Sequence, residues 1–522
     1  MGAGALCYRA MFHNPRNRRL LVISALAFAS CADARAAESM PLTAAVIRGS
    51  SVYTPAQLFA TWRDELGRPV DGTRARAVIG AVGDLYERDG YARPEVRAEG
   101  TTPAPGIMRL TVVEPQITEV IIEGDAGPHQ QRLTELSSQL ERMQPIRRSE
   151  VQRVLGRMRE LPGLSVVANT RRDDGERNGY ALAVNAAFDP VDGVVGVSNR
   201  ATEEIGPVFI NGRAVANGWL TGVEKLGVVL TAATDVDEYR GIGAFVDTPV
   251  NSRGTRAFLL VFGSDAEPST PADAPVDEYL RERATLRITH PLAVGTRVSL
   301  ALAAAFDADD FQIRRDGAEL REERLRVVQL GTRASWRGGE RTQYDATLEL
   351  RQGLDALGSG LQAEDIGDDR RRADFLLTRL QLAQVTRFGD AWSVRADVLA
   401  QHTAYALPYS ERFKVGGERL GRGFEVSEIA GDRGAGAKLE VRRSFTAEAP
   451  FGLKPSAYAF YDIGATWNQD VGGRASAATG GLGVAAQAGR ISGYLEVAKP
   501  LTRPDLEGKR STSLFGGLSL RL

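Results

Sequence analysis

The chain is nearly free of cysteine. Of its 522 residues only Cys7 and Cys31 carry a thiol, and both precede Ala36. A mature chain beginning after Ala36 would hold none. That excludes disulfides, thiol catalysis and thiolate metal sites together, and it suits a product that crosses an oxidising compartment unfolded. Long apolar runs are also missing. The run Leu20–Ala29 is too short to span a bilayer, and a composition of 43% apolar and 25% charged residues does not fit a helical membrane protein. The formal net charge is -1, so there is no bulk attraction to anionic polymers and no nucleic-acid partner is expected. After residue 36 the histidines are His129, His290 and His402, none spaced to share a metal, so no metal site is expected. There is no G-x-S-x-G. Gly481-Leu482-Gly483-Val484-Ala485-Ala486 fits a dinucleotide pattern, but it lacks the strand–helix unit and downstream acid that such a site needs. Neither an enzyme nor a cofactor is expected.

The N-terminus has the parts of a signal peptide over residues 1–36. Arg9, Arg16, Arg18 and Arg19 form a basic region, Leu20–Ala29 an apolar core, and Ala34-Arg35-Ala36 an A-x-A cleavage site.

From about Ala187 onward, apolar and polar residues alternate. Trp392, Val394, Ala396 and Val398 interleave with Ser393, Arg395 and Asp397. Tyr344, Ala346, Leu348 and Leu350 interleave with Asp345, Thr347 and Glu349. Leu514, Gly516, Leu518, Leu520 and Leu522 share a face opposite Phe515, Ser519 and Arg521. Only a helix or a closed barrel crosses hydrocarbon with every backbone group bonded, and no membrane helix is present. An exported chain with this period is expected to form a transmembrane β-barrel, greasy outside and wet inside. At roughly 20 residues per strand and connection, residues 189–522 predict about 16 antiparallel strands. Loops are expected over Ser264–Glu278, Asp307–Arg315 and Glu364–Asp374.

Between signal and barrel one pattern occurs twice, over residues 37–115 and 116–188. Val46-Ile47-Arg48-Gly49 predicts a strand ending in glycine. Thr54 and Pro55 open a helix, a second helix carries Val78, Ala81, Val82, Leu85 and Tyr86 and stops at Gly90, and strands follow near Pro94–Glu99 and Ile107–Val113. The second copy runs from a strand over Ile117–Gly124. It continues through a helix marked by Leu133, Leu136 and Leu140 to a helix opened by a Ser149/Gln152 capping box, then strands near Leu164–Arg171 and Tyr180–Phe188. Gly49 and Gly124 lie 75 residues apart and set the period. Each β-α-α-β-β unit has a sheet edge that could accept an extended peptide.

Two segments interrupt the barrel pattern. Val415–Phe424 is too glycine-rich for a strand and contains Arg422-Gly423-Phe424. Phe460-Tyr461-Asp462-Ile463-Gly464 lies within a strand, with Asp462 on its polar face. A loop tucked into a barrel near 411–436 could be held by an Arg–carboxylate pair. These segments resemble the two-partner secretion outer-membrane transporters of the TpsB group (ShlB/FhaC/HecB type), within the superfamily that contains BamA. Arg422, Gly423 and Phe424 match that family's Arg-Gly-Tyr/Phe loop tip. Phe460, Asp462 and Gly464 match its Phe-x-Asp-x-Gly strand motif, and Gly493–Leu501 is also similar.

The resemblance implies two periplasmic POTRA repeats before a barrel in the cell outer membrane. The implied partners are outer-membrane lipid, barrel-assembly machinery for the chain's own insertion, and a secreted TpsA-like exoprotein that is translocated unfolded and β-rich to the cell surface. A BamA- or TamA-type insertase is the alternative. The chain has Gly421 where the family usually has Val or Ile, and it ends in Leu522 where such barrels favour Phe. Too few residues separate Ala36 from Val46 for the plug helix many relatives carry, so no plug is expected.

Overall fold

The computed structural model describes residues 40–99, 106–173, 175, 178–202, 205–251, 253–269, 275–295, 297–363, 371–445, 452–469, 473–502 and 511–522. The signal segment lies outside them, as do residues 37–39, so the expected absence of a plug helix before Val46 also falls outside the described residues.

The first repeat folds as β1 (Ala44–Arg48), α1 (Pro55–Phe59), α2 (Gly72–Arg88), β2 (Glu95–Ala98) and β3 (Ile107–Val113), with sheet order β1-β3-β2. Thr54 caps α1 in a reciprocal box with Gln57, and Pro55 takes the first helical position. Asp71 caps α2. Val78, Val82 and Tyr86 on α2 bury against Met108, Leu110 and Val112 of β3. The Tyr86 hydroxyl donates to the buried carboxylate of Glu114 at 2.6 Å.

The second repeat repeats the order: β4 (Gln116–Asp125), α3 (Gln130–Ser137), α4 (Arg148–Arg159), β5 (Leu164–Asp173) and β6 (Gly179–Phe188), with sheet order β4-β6-β5. Its core joins Leu133, Leu136, Leu140, Val154, Leu155 and Met158 to Val166, Leu182 and Val184. The internal period has a backbone cause. Gly49 and Gly124 both have left-handed φ, +87° and +88°. A Cβ on either would lie 2.2 Å from the carbonyl oxygen of the central strand, at Val112 and Ala186 respectively. Only glycine fits both demands.

The capping box expected at Ser149 is absent. α4 starts at Arg148, its N-cap Arg147 makes no side-chain cap, and Ser149 lies inside the first turn. Contact with the first repeat moves the helix start. The Arg148 N–H donates to the Gly90 carbonyl at 3.0 Å, and the Arg147 guanidinium donates to the Tyr91 hydroxyl at 2.5 Å.

Two residues after β6 the barrel begins. Ala187 and Phe188 therefore belong to the second repeat, not to the alternating region. The barrel strands are β7 (Val191–Ser198), β8 (Phe209–Asn217), β9 (Lys225–Ala233), β10 (Arg240–Pro249), β11 (Arg256–Ala266), β12 (Asp277–Val294), β13 (Val298–Arg315), β14 (Ala318–Gly338), β15 (Thr342–Gly353), β16 (Gly360–Ala363), β17 (Leu376–Phe388), β18 (Trp392–Thr403), β19 (Phe413–Val415), β20 (Ile429–Gly431), β21 (Arg433–Ser444), β22 (Lys454–Trp467), β23 (Arg474–Ala488), β24 (Ile491–Pro500) and β25 (Ser513–Arg521). Sixteen of them close an antiparallel barrel. The short β16 pairs with the far part of β14, and β19 and β20 form a hairpin outside the wall. β25 closes on β7 through the pairs Gly517↔Ser198 to Arg521↔Val194.

The period-two pattern sets the register. Tyr461, Ile463 and Trp467 of β22 are exposed on the outer face, while Phe460, Asp462 and Thr466 are buried on the inner one. A one-residue slip would put every charge of the inner set into lipid.

The loop expected over Asp307–Arg315 is instead part of β13. The strands β12, β13 and β14 have 18, 18 and 21 residues, well beyond the roughly 9–11 that cross a bilayer. Their acidic halves continue the sheet past the membrane, with Asp309 bound to Arg281 at 2.5 Å. The loop placed over Ser264–Glu278 is shorter, since β11 runs to Ala266 and β12 starts at Asp277. Of the loop expected over 364–374, residues 364–370 lie outside the described residues.

Strand order fixes two ends. Connections next to the second repeat form the near end. Residues 404–432, between β18 and β21, enter from the far end.

Candidate functional site: a loop latched inside the barrel

Residues 404–432 do not stand over the barrel mouth. They turn inward, and their apolar side chains Phe413, Val415, Leu420, Phe424 and Ile429 pack with Leu399 and Ala477 of the wall. The wall is thinned to receive them. A Cβ on Gly464 would sit 2.9 Å from Val415 and 3.1 Å from Leu420. On Gly436 it would meet Leu420 at 2.3 Å, and on Gly434 it would meet Phe413 at 2.0 Å. Gly416, with φ +122°, lets the chain fold back so that its N–H donates to the Leu420 carbonyl at 2.8 Å.

That fold-back aims Arg422 at the wall. Its Nε and Nη2 donate to the two oxygens of Asp462 at 3.0 and 2.9 Å, a fork on a carboxylate that is fully buried. The backbone N–H groups of Gly421 and Arg422 add longer bonds to Asp462 Oδ2 at 3.3 and 3.2 Å. Nη1 reaches Glu440 at 3.1 Å and Glu496 at 3.4 Å. The guanidinium lies 3.5 Å above the ring of Phe460, a cation–π contact strengthened by burial.

The remaining charge is balanced by neighbours. Arg442 binds Glu440 at 2.8 Å. Arg200 binds Glu496 at 2.6 Å and lies over Phe515 at 4.5 Å, and the Tyr458 hydroxyl donates to Glu496 at 2.9 Å. Three guanidiniums thus meet three carboxylates across β21, β22 and β24.

The structure brings five of the six motif residues into one contact group. Arg422, Asp462 and Phe460 form the ionic and cation–π core. Gly423 presses on the wall, where a Cβ would lie 2.8 Å from Thr479 and 3.1 Å from Lys499. Gly464 opens the wall for Val415. Phe424 points elsewhere, into the apolar cluster with Leu399 and Ala477.

A second anchor was not foreseen. Glu411, in a short helical turn over Tyr409–Glu411, is buried in the opposite part of the wall. Arg351 of β15 grips both its oxygens at 2.7 and 3.1 Å. Arg379 of β17 reaches its carboxylate at 2.9 Å and its carbonyl at 3.0 Å. Glu323 of β14 accepts the N–H groups of Tyr409 and Ser410 at 2.8 and 3.1 Å. The loop is therefore held to two parts of the cylinder. Nothing in residue spacing links Glu411 to Arg351, because the connecting stretch has no period.

Residues 285–486 match the family model described as haemolysin secretion/activation protein ShlB/FhaC/HecB. Among solved structures, CdiB from Escherichia coli is similar, with TM-score 0.74 and 17% identity over 94% of this chain and 92% of that one. CdiB from Acinetobacter baumannii gives 0.63 and 13% over 92% and 90%. BamA from Haemophilus ducreyi lacking POTRA domains 1–3 gives 0.51 and 12% over 92% and 100%. At these identities the structural likenesses establish the fold. No curated protein matches the chain.

Proposed function

We propose that this chain, a member of the ShlB/FhaC/HecB family of two-partner secretion transporters of the outer membrane, is a pore that passes one unfolded, β-rich exoprotein from periplasm to cell surface. The observation that carries this reading is the loop inside the lumen. Beside an apolar wedge it is fastened by buried ion pairs whose partners can be exchanged. A loop meant only to seal the cylinder would not need Arg422 and Asp462 in a pocket dry enough to make their separation costly.

The second repeat stands beside the near mouth, with β5 at the edge of its sheet. In this reading an extended segment adds to that edge, enters the lumen, and displaces the latched loop. The exoprotein's folding outside supplies the drive. The repeats lie in the periplasm and the loop 404–432 enters from the cell surface. Arg422→Ala and Asp462→Ala should leave a heat-modifiable barrel in the membrane and lower the amount of exoprotein outside the cell. Unchanged export in both variants would remove the pair from the mechanism.

The insertase alternative draws on one feature, the short closing seam between β25 and β7, where a nascent strand could enter. Depletion separates the two readings. A transporter's loss removes one exoprotein, whereas an insertase's loss lowers many outer-membrane proteins together.

A further inference from the structure

Below the Arg422 latch, toward the near end, the lumen is not balanced. The register turns Arg213 of β8, Arg287 of β12, Arg333 of β14, Arg387 of β17, Lys454 of β22 and Arg521 of β25 inward. The outward neighbours of several show the facing directly: Leu286 and Ile288 flank Arg287, Leu330 and Trp336 bracket Arg333, and Leu382 and Phe388 bracket Arg387, all exposed on the outer wall. None of the six makes an ion pair within the described residues. The acids at this depth are fewer and largely taken. Asp247 is bound by Arg256 at 2.9 Å and Asp397 by Arg395 at 2.7 Å, leaving Asp192, Asp345 and Glu349 among the described residues of these strands.

Two of the cations are held in place without being neutralised. Arg213 lies 5.4 Å from the ring centroid of Phe245, Arg287 lies 6.0 Å from that of Phe258, and the two rings are 5.7 Å apart. Gly227 of β9 makes room for this row, since a Cβ there would lie 2.1 Å from the Phe245 ring. The result is a ladder of Arg, Phe, Phe and Arg across the wall from β8 to β12. A cation on an aromatic face is oriented but keeps its charge. Lined walls of one sign focus the field into the lumen. A polar cavity of about 640 Å³ lies under Arg422, where Arg200, Lys438, Arg442 and Lys454 with Arg422 outnumber Glu418, Glu440 and Glu496 on its wall.

We propose that this near-end vestibule is a binding surface for extended polypeptide segments rich in Asp and Glu. It would act as a selectivity step before the latch. The proposal rests on the secretion-pore reading, and it adds the charge class of the segment that waits below the loop. Unpaired guanidiniums suit carboxylates because each offers a planar fork of donors. The aromatic row gives an extended chain an apolar surface to slide on.

The test uses the full mature chain in detergent. Anisotropy of a fluorescent, Asp-rich extended peptide is compared with that of a Lys-rich peptide of equal length. Binding of the acidic peptide that weakens with salt is expected, with none for the basic one. The triple substitution Arg213→Gln, Arg287→Gln and Arg333→Gln should weaken it about tenfold, the sum expected from three solvated ion pairs. Retention of heat-modifiable migration shows the triple variant folded. A lone Arg213→Lys variant, which keeps charge, should bind nearly as well. Equal binding of both peptides, or acidic binding untouched by the triple change, overturns the vestibule. Export in the Arg422→Ala strain is scored separately. If that export falls while the peptides do not discriminate, the pore reading stands and the vestibule falls. If the peptides discriminate while export is unaffected, the vestibule stands and the Arg422–Asp462 pair leaves the mechanism; loss of many outer-membrane proteins on depletion, rather than of one exoprotein, is what removes the pore reading.

Discussion

Replacing Arg422 with alanine removes the one guanidinium that touches all three carboxylates of the latch. Glu440 keeps Arg442 and Glu496 keeps Arg200. Asp462 loses the guanidinium paired with it among the described residues while remaining fully buried. Breaking a buried pair by removing one partner costs about 3–5 kcal/mol. At about 1.4 kcal/mol per tenfold, the docked population of the loop falls by roughly two to three and a half orders of magnitude. Asp462→Asn should cost less, because Arg422 retains Glu440 and Glu496.

The assay is amide hydrogen exchange of the solubilised chain. The N–H groups of Gly421 and Arg422, which donate to Asp462, report docking directly. Their protection should drop by about that factor in Arg422→Ala, while amides of β22 outside the contact stay protected. If exchange at residues 421–424 is unchanged, the loop is held by the wedge of Val415, Leu420 and Phe424 instead. The argument from charge would then be wrong.

Glu411→Gln should loosen the opposite anchor by about 2–4 kcal/mol, since Arg351 then keeps Asp307 while Arg379 loses the carboxylate it pairs with. Exchange at Tyr409 and Ser410 would rise with residue 421 little affected, and the double variant with Arg422→Ala would show additive opening. Gly423→Ala places a methyl 2.8 Å from Thr479 and should undock the tip at a cost of about 1–3 kcal/mol, read as new protease cleavage between 416 and 428. His129 is buried in the second repeat, where its Nε2 lies 2.8 Å from the Pro162 carbonyl, and burial holds its pKa below the ordinary 6.5. The unfolded chain then binds more protons below that value. Stability should be full above about pH 6.5 and lost as pH falls beneath it. Calorimetry of the wild type against His129→Gln between pH 7.5 and 5.5 checks this, with a flatter profile expected for the variant.

Much of the fold could be read from period alone, because the two solvents of a barrel wall force alternation residue by residue. Tyr461 and Asp462 declare their opposite faces by adjacency alone. The repeats were readable from Gly49 and Gly124, because one backbone demand recurs in each. The far ends of β12–β14 were not readable. Asp307, Asp309 and Asp310 have the composition of a turn, and it is pairing with β12 and β14 on either side, with Arg281, Arg326 and Arg351 taking up their charge, that makes them sheet. Ser149 misled for a similar reason, since a contact with the neighbouring repeat overrode a good local cap. In the lumen, motif residues Arg422 and Asp462 could be named from sequence. Glu411 could not, because its partners come from strands whose polar positions look like any wetted wall.

The joint between β25 and β7 has a consequence for how the molecule is made. Asn199 and Leu514 meet there, 315 positions apart in the chain, and the Asn199 side chain bonds the opposite strand at both its oxygen and its nitrogen. No other stave needs a partner from the far end of the polypeptide. Hoop formation must therefore wait for the last segment to arrive. Until then both margins are unpaired, and the ring is a curled ribbon that some other edge has to shelter.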